Sequence, residues 1–340
     1  MNFRMKARSV LANIIDYSGI IDNIITSKSN KEYIVLMYHR IIPFREAEPG
    51  LQAGMYVEPE TFRTHIKYFK SNFSIMPLSS ISSITSNIHL KINGKPICVL
   101  TFDDGWLDFY KYAYPILLEN DIPATVFLPT KYIGTNNRFW TDIIAGYFVY
   151  VCNKTSGKIK SSNMVINELN NMNGDVNQKI EKAISLLKNF REDRVEEIIN
   201  DICDISGFDR YRKERVFLNW DEAREMFASK LITFGSHTNS HRILIHLTND
   251  ETEEELMTSK KRLISERVVD PSFIPFCYPN GDHTESISQK VAEAGYHVAT
   301  TTKDGWNHLQ SSFFRLNRVA LHQDMSFGVK MLKCRIAGIY

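Results

Sequence analysis

Ile97-Cys98-Val99-Leu100-Thr101-Phe102-Asp103-Asp104-Gly105-Trp106 is the stretch that decides how this chain folds. Its apolar, partly β-branched first half predicts a buried strand, and two adjacent carboxylates then stand at the strand's end. In a packed sheet that end is where the fold opens into a cleft, the ordinary place for chemistry. Capping is the competing use, because aspartates after a strand also favour the start of a following helix. Far along the chain, His237-Thr238-Asn239-Ser240-His241 carries imidazoles at i and i+4. If that stretch begins a helix, both rings face one way and can hold a cation together with a carboxylate.

Outward from that strand, runs rich in apolar and β-branched residues over 33–38, 124–128, 231–236, 273–278 and 296–301 predict further strands. Pro59 opens a helix whose Phe62, Ile66 and Phe69 share a face, and further helices are predicted through Tyr112 and Leu117, over 220–226 and over 251–269. A short extended piece spans 75–78, and Pro279-Asn280-Gly281 reads as a turn. Strand alternating with helix in this way argues for an α/β fold, a mostly parallel sheet wrapped by helices. Residues 148–215 have another texture. There Ile180, Ile184, Leu187, Phe190, Val195, Ile198, Ile199 and Ile202 recur at helical spacing among polar residues, with Ser156-Gly157 and Asn173-Gly174 marking loops, so a helical insertion is expected.

A chain of 340 residues is long enough to bury a sizeable core. With 41 basic and 39 acidic residues, a net of +2, it has no electrostatic footprint for nucleic acid. Cys98, Cys152, Cys203, Cys277 and Cys334 are an odd number without close pairing, which argues against a disulfide framework or a cysteine metal cluster and favours a reducing compartment. Residues 1–30 read as an amphipathic helix: Arg4, Lys6 and Arg8 precede isoleucines at helical spacing, and Asn13, Asp16 and Asp22 interrupt any long apolar run. No signal peptide is expected there. The location expected is cytoplasmic, with the helix packed on a barrel domain at 31–340 or in peripheral contact with the cytoplasmic membrane face.

Six motifs in order carry a resemblance: Leu36-Met37-Tyr38-His39-Arg40-Ile41, then Thr101 to Gly105, Ile122-Pro123-Ala124-Thr125-Val126-Phe127, Phe139-Trp140, His237 to His241, and Phe276 to Gly281. In these the chain resembles the polysaccharide deacetylase family, metal-dependent carbohydrate esterases that remove N-acetyl groups from sugars, over residues 35–322. The resemblance implies a distorted, seven-stranded (β/α) barrel bearing the 148–215 insertion. It also implies a hydrolase acting on an N-acetylated amino sugar in a polysaccharide or glycan precursor; the expected lack of a signal peptide at Met1 to Ile25 favours a lipid-linked or nucleotide-linked sugar on the cytoplasmic face. Two alternatives stay open, a catalytically inactive glycan-binding barrel and a deformylase or amidohydrolase acting on another C–N bond.

The resemblance assigns roles residue by residue. Asp104, His237 and His241 would ligate one divalent cation, with zinc first and cobalt, nickel and manganese also accepted by such donors. The cation would make hydroxide available near neutral pH, and Asp103 would be the general base that takes a proton from the attacking water. A backbone N–H at Asn280 would meet the oxyanion. His322 is the candidate general acid and His39 its rival. Tyr38, Trp106, Tyr278 and Trp306, with Trp140, are candidates to stack on sugar rings. The chain departs from the family at Cys277, where many members carry an arginine that orients the base, and at Gln323, where aspartate is common. Asp304-Gly305-Trp306 resembles the family's aspartate-tryptophan motif.

Overall fold

The apolar run at 97–102 lies in an eight-residue strand, Lys95–Phe102, whose last six residues are all buried. In the computed structural model, which describes residues 3–17, 19–81, 91–153, 162–210 and 214–340, this strand is β2 of a curled parallel sheet. It pairs on one side with β1 (Glu32–Tyr38), Val99 opposite Val35, and on the other with β3 (Ala124–Leu128). The order continues through β4 (Ile232–Ser236), β5 (Pro275–Cys277) and β6 (Val298–Thr300), each pair parallel. An extended segment then spans the gap. Leu316 exchanges backbone hydrogen bonds with Ala299 and Thr301 beside β6, while β7 (Val319–Ala320) pairs in parallel with β1. The seven-stranded (β/α) barrel expected from the sequence is therefore the architecture, with its distortion concentrated in that closing segment.

Parallel strands place all their carboxyl ends on one rim, the end at which such folds bind ligands. That rim receives His39 after β1, Asp103 and Asp104 after β2, His237 after β4, the Pro279–Gly281 turn after β5 and His322 after β7. The connecting helices cover the outside. Helix α3 (Pro59–Asn72) starts at Pro59, where a missing N–H costs nothing, and buries Phe62, Ile66 and Phe69 as their spacing predicts. Residues 109–120 form a widened turn, Phe109–Ala113, running into the helix α4 (Tyr114–Asn120). The helix after β4 is α10 (Asn249–Ser265), shorter at its carboxyl end than the 251–269 expected.

The described part of the amino-terminal segment is two helices rather than one: α1 (Phe3–Tyr17) and α2 (Ile20–Ser29), with Gly19 at φ 70° ahead of the second. Ala12, Ile21 and Ile25 are buried, and Lys333 of the last helix, α13 (Val329–Ala337), bonds Asp16 at 2.6 Å and Asp22 at 2.7 Å. No helix among the described residues is long and apolar enough to cross a membrane.

The chain forms two compact units, the barrel (Met1–Phe44, Ala53–Gly134, Phe217–Tyr340) and a helical unit (Arg45–Gln52, Thr135–Val216). The helical unit begins earlier than the 148 expected, because α5 (Trp140–Asn153) is itself apolar enough to resemble barrel sequence. Its Ile144, Tyr147 and Phe148 join a core with Ile166 and Leu169 of α6 (Met164–Asn170), Ile180 and Ile184 of α7 (Val176–Leu187), and Val195, Ile198, Ile199 and Ile202 of α8 (Glu192–Ser206). Arg138 and Glu48 pair at 2.9 Å within this unit, so 45–52 belongs to it despite its distance in sequence. Asn173-Gly174 lies in a loop as expected, whereas Ser156-Gly157 lies outside the described residues.

Candidate active site

Asp103 is the last residue held by the sheet, its N–H donating to the Tyr38 carbonyl at 2.9 Å. Asp104 and Gly105 then take φ 74° and 62°, a left-handed pair that turns the chain sharply. Glycine is required at 105, since a Cβ there would come within 2.6 Å of Leu128 Cδ2. The two aspartates are not helix caps; the turn parts their side chains, and each meets different partners.

Asp104 is 3 % exposed and divides its two oxygens. Oδ2 accepts from the Trp106 indole N–H at 3.0 Å, while Oδ1 faces His241 Nε2 at 3.2 Å and His237 Nε2 at 3.5 Å. Burial raises the Asp104 pKa, but hydrogen bonds from the two imidazoles outweigh it and hold the carboxyl well below its ordinary value. Behind Asp104 a chain of contacts fixes Trp106. Its ring stacks on Phe217 at 4.7 Å, the Arg40 guanidinium lies 4.5 Å over it, and Arg40 is tied to Asp108 at 2.7 Å.

The histidines converge, though not by the helical route expected. Residues 237–241 form a loop in which Thr238 and His241 have φ 62° and 64°. Glu255 of α10 builds this loop: its buried carboxylate accepts from Asn239 N–H at 2.9 Å, Ser240 N–H at 2.8 Å and the Ser240 hydroxyl. Thr238 and Asn239 carbonyls accept from Thr130 and Lys131 after β3, which anchors the loop to the next strand. His237 Nδ1 donates to the Cys277 carbonyl at 2.8 Å, so Nε2 presents its lone pair toward Asp104.

Asp104, His237 and His241 thus offer one carboxylate and two imidazole donors within 4.8 Å of one another. Bonds of about 2.0–2.1 Å in a tetrahedral shell put neighbouring donors roughly 3.3–3.5 Å apart. The carboxylate-to-imidazole separations of 3.2 and 3.5 Å fit a small divalent cation without rearrangement. Three protein donors leave coordination open, as chemistry requires.

Asp103 has a different partner, and it answers the departure at Cys277. Arg318, fully buried on the closing segment, grips both carboxylate oxygens, Nη1 to Oδ1 and Nη2 to Oδ2, each at 2.7 Å. Burial raises the Asp103 pKa, and the Arg318 charge and hydrogen bonds more than reverse it, so the net shift is downward. Nothing local in the sequence marked Arg318, which lies 215 positions from its partner.

The two acid candidates occupy different surroundings. His39 Nε2 is 3.9 Å from Asp103 Oδ2, and burial lowers its pKa against the pull of Asp103 and Asp104. His322 Nδ1 bonds Asp324, one position beyond the Gln323 that breaks the expected pattern, and Arg8 pairs with Asp324 at 3.2 Å. Gln323 instead accepts from Glu58 N–H at 2.9 Å. Asn280 sits in its turn with φ 59°, its carbonyl accepting from the Thr302 hydroxyl at 3.0 Å.

The sugar-stacking assignments need correction. Tyr38 and Tyr278 are 0 % exposed, Trp106 2 % and Trp306 4 %, so none presents a ring face. Each also has its polar tip engaged within the protein: Tyr38 to His65, Tyr278 to the Phe314 carbonyl, Trp106 to Asp104 and Trp306 to the Ile336 carbonyl. They are core residues with satisfied handles. Trp140 packs in the core of the helical unit. Asp304 is a partner of Arg335, at 2.7 Å, not part of the rim constellation.

Comparison with known proteins agrees with this architecture. Residues 91–299 match the polysaccharide deacetylase family. YxkH of Bacillus subtilis (strain 168) is 21 % identical over 295 residues, covering 86 % of this chain and 72 % of that protein. Among solved structures, the Streptococcus pyogenes deacetylase PplD in complex with acetate superposes with a TM-score of 0.55 at 19 % identity, covering 86 % of this chain and 94 % of that one. IcaB from Ammonifex degensii gives 0.56 at 16 % identity over 89 % and 97 %. The likeness to these structures shows a shared fold.

Proposed function

We propose, from the premise that the chain belongs to the polysaccharide deacetylase family, that it is a metal-dependent hydrolase removing the N-acetyl group from an amino sugar within a glycan. The observation that carries the reading is the convergence, on one barrel rim, of the Asp104, His237 and His241 donors with the arginine-gripped Asp103 beside them. An intact constellation of this kind speaks against a barrel that only binds glycan. The related structure named for its complex with acetate accords with acetyl rather than formyl removal. Zinc is the ion we assign, because two imidazoles and a carboxylate in near-tetrahedral spacing suit it.

A divalent cation bound by these donors would polarise the amide carbonyl and make hydroxide available near neutral pH. Asp103 is the base. Arg318 occupies one lone pair on each of its oxygens and the Cys277 thiol faces the second on Oδ2, leaving Oδ1 to take the proton of the attacking water. The backbone N–H of Asn280, set by its left-handed turn, is assigned to the oxyanion. When the C–N bond breaks, acetate leaves on one side and the amine needs a proton on the other. His322 is the acid we favour over His39: Asp324 accepts from Nδ1 and would stabilise an imidazolium whose Nε2–H is given to the amine, whereas His39 stands against Asp103 itself.

Acetate release from N-acetylglucosamine oligomers tests the reading, measured before and after chelation and after zinc is restored. Turnover lost on chelation and regained with zinc is expected; formate release from N-formyl substrates in place of acetate would support the deformylase alternative. Peripheral membrane contact by the amino-terminal helices remains part of the proposal, resting on the exposed Val10, Ile14 and Tyr17 at helical spacing. Co-sedimentation with anionic vesicles tests it, and a protein left wholly in the supernatant contradicts it.

A further inference from the structure

We propose that Arg318, delivered by the segment that closes the barrel, is the positioning residue for the Asp103 base, and that position 277 is small in order to admit it. The inference rests on the reading of Asp103 as base. Every polar nitrogen of the guanidinium is engaged. Nη1 and Nη2 form the two parallel bonds to Asp103, Nε donates to the Thr301 carbonyl at 2.7 Å, and Nη1 also reaches the Thr101 hydroxyl at 3.1 Å. Such a fork fixes the plane of a carboxylate as well as its place. With the Cys277 thiol on Oδ2, it leaves a lone pair of Oδ1 for the reaction, in a defined direction. The arginine's own backbone is equally fixed, its N–H donating to the Lys303 carbonyl at 2.9 Å.

Cys277 completes the fit from the neighbouring strand. Its Sγ accepts from Arg318 Nη2 at 3.2 Å and lies 3.6 Å from Asp103 Oδ2, with no exposure of the residue to solvent. A long side chain at 277 would run into the guanidinium, whereas one at 277 in the absence of Arg318 could reach the same carboxylate. The two positions therefore compete for one task. A merely structural pair predicts something else: loss of stability when Arg318 goes, without a specific loss of turnover.

Arg318→Met should lower kcat at least 100-fold with KM within threefold of the parent and bound zinc unchanged. Adding Cys277→Arg to that variant should restore kcat at least tenfold, while Cys277→Arg alone should impair the parent. Unchanged kcat in Arg318→Met, or failure of the second arginine to rescue a folded, zinc-loaded double variant, would overturn the proposal. Thermal melts give a readout free of substrate: Arg318→Met should lower Tm, and Asp103→Asn added to it should recover part of the loss by removing the unpaired charge. No recovery would overturn the pairing. Parent protein that turns over no acetylated sugar while the melts behave as expected would overturn both the functional reading and the positioning role, leaving an ion pair alone.

Discussion

At the scale of single residues, the two oxygens of Asp104 have different partners. Asp104 Oδ2 is held by Trp106 so that Oδ1 is the only oxygen turned to the imidazoles. Trp106→Phe keeps the ring and removes the donor; it should weaken zinc binding about 10–100-fold, read by equilibrium dialysis, and unchanged affinity would show that the indole only packs. His322→Asn should reduce kcat by roughly 10²–10⁴, and the loss should shrink for substrates with better leaving groups, the signature of a missing acid. If His39→Asn shows that leaving-group pattern instead, the roles are reversed. The aspartate pair, the two histidines, His39 and His322 could be singled out in the sequence because each stands in a short motif, and the fold brings them to one rim. Arg318, Glu255 and Asp324 were not, since an arginine or glutamate in an ordinary helix or loop becomes informative only when folding brings its partner to it. The aromatics misled for a related reason: sequence shows a ring but not whether its polar tip is satisfied indoors.

At the scale of elements, the 237–241 loop shows how a spacing can point to the right residues through the wrong geometry. Helical i, i+4 spacing predicted convergence, but left-handed Thr238 and His241 achieve it in a loop pinned by Glu255. Removing that carboxylate leaves the buried N–H and hydroxyl of Ser240 and the half-buried N–H of Asn239 unpaired, a cost of about 1–3 kcal/mol for each buried group. Glu255→Ala should therefore weaken zinc binding although Glu255 touches no donor, whereas the exposed neighbour Glu253→Ala should not; equal zinc affinity in the two variants, read by competition with a chelating dye, would remove Glu255 from the account. Strands were the most legible elements, because buried parallel strands are written as apolar runs. The start of the helical unit was missed because α5 is apolar, and polar texture sets in only after it.

At the scale of the molecule, closure of the barrel brings the carboxy-terminal segment to the site, and a buried histidine secures it. His65 accepts from the Tyr38 hydroxyl and donates to the Ser326 carbonyl at 2.8 Å, joining β1, α3 and the turn that follows His322. Burial pushes its pKa down to about 4, opposed only by the Ser326 bond. Below pH about 6.5 the unfolded chain takes up a proton that the folded one refuses, so this stabilisation is complete above pH 6.5 and is lost as pH falls toward 4. The loss is at most roughly 3 kcal/mol. Urea unfolding at pH 7 and 5 should show His65→Asn costing less stability at pH 5; an equal cost at both would contradict it. The closing segment was the least legible part of the fold, because 316–320 is too short and too mixed to read as a strand, yet it carries Arg318. The central claim, that Asp103 is the base beside a cation held by Asp104, His237 and His241, is tested most directly by measuring zinc content and acetate release together in Asp103→Asn. The account predicts stoichiometric zinc with acetate release reduced at least 1,000-fold; a zinc-loaded Asp103→Asn that releases acetate at the parent rate would contradict it.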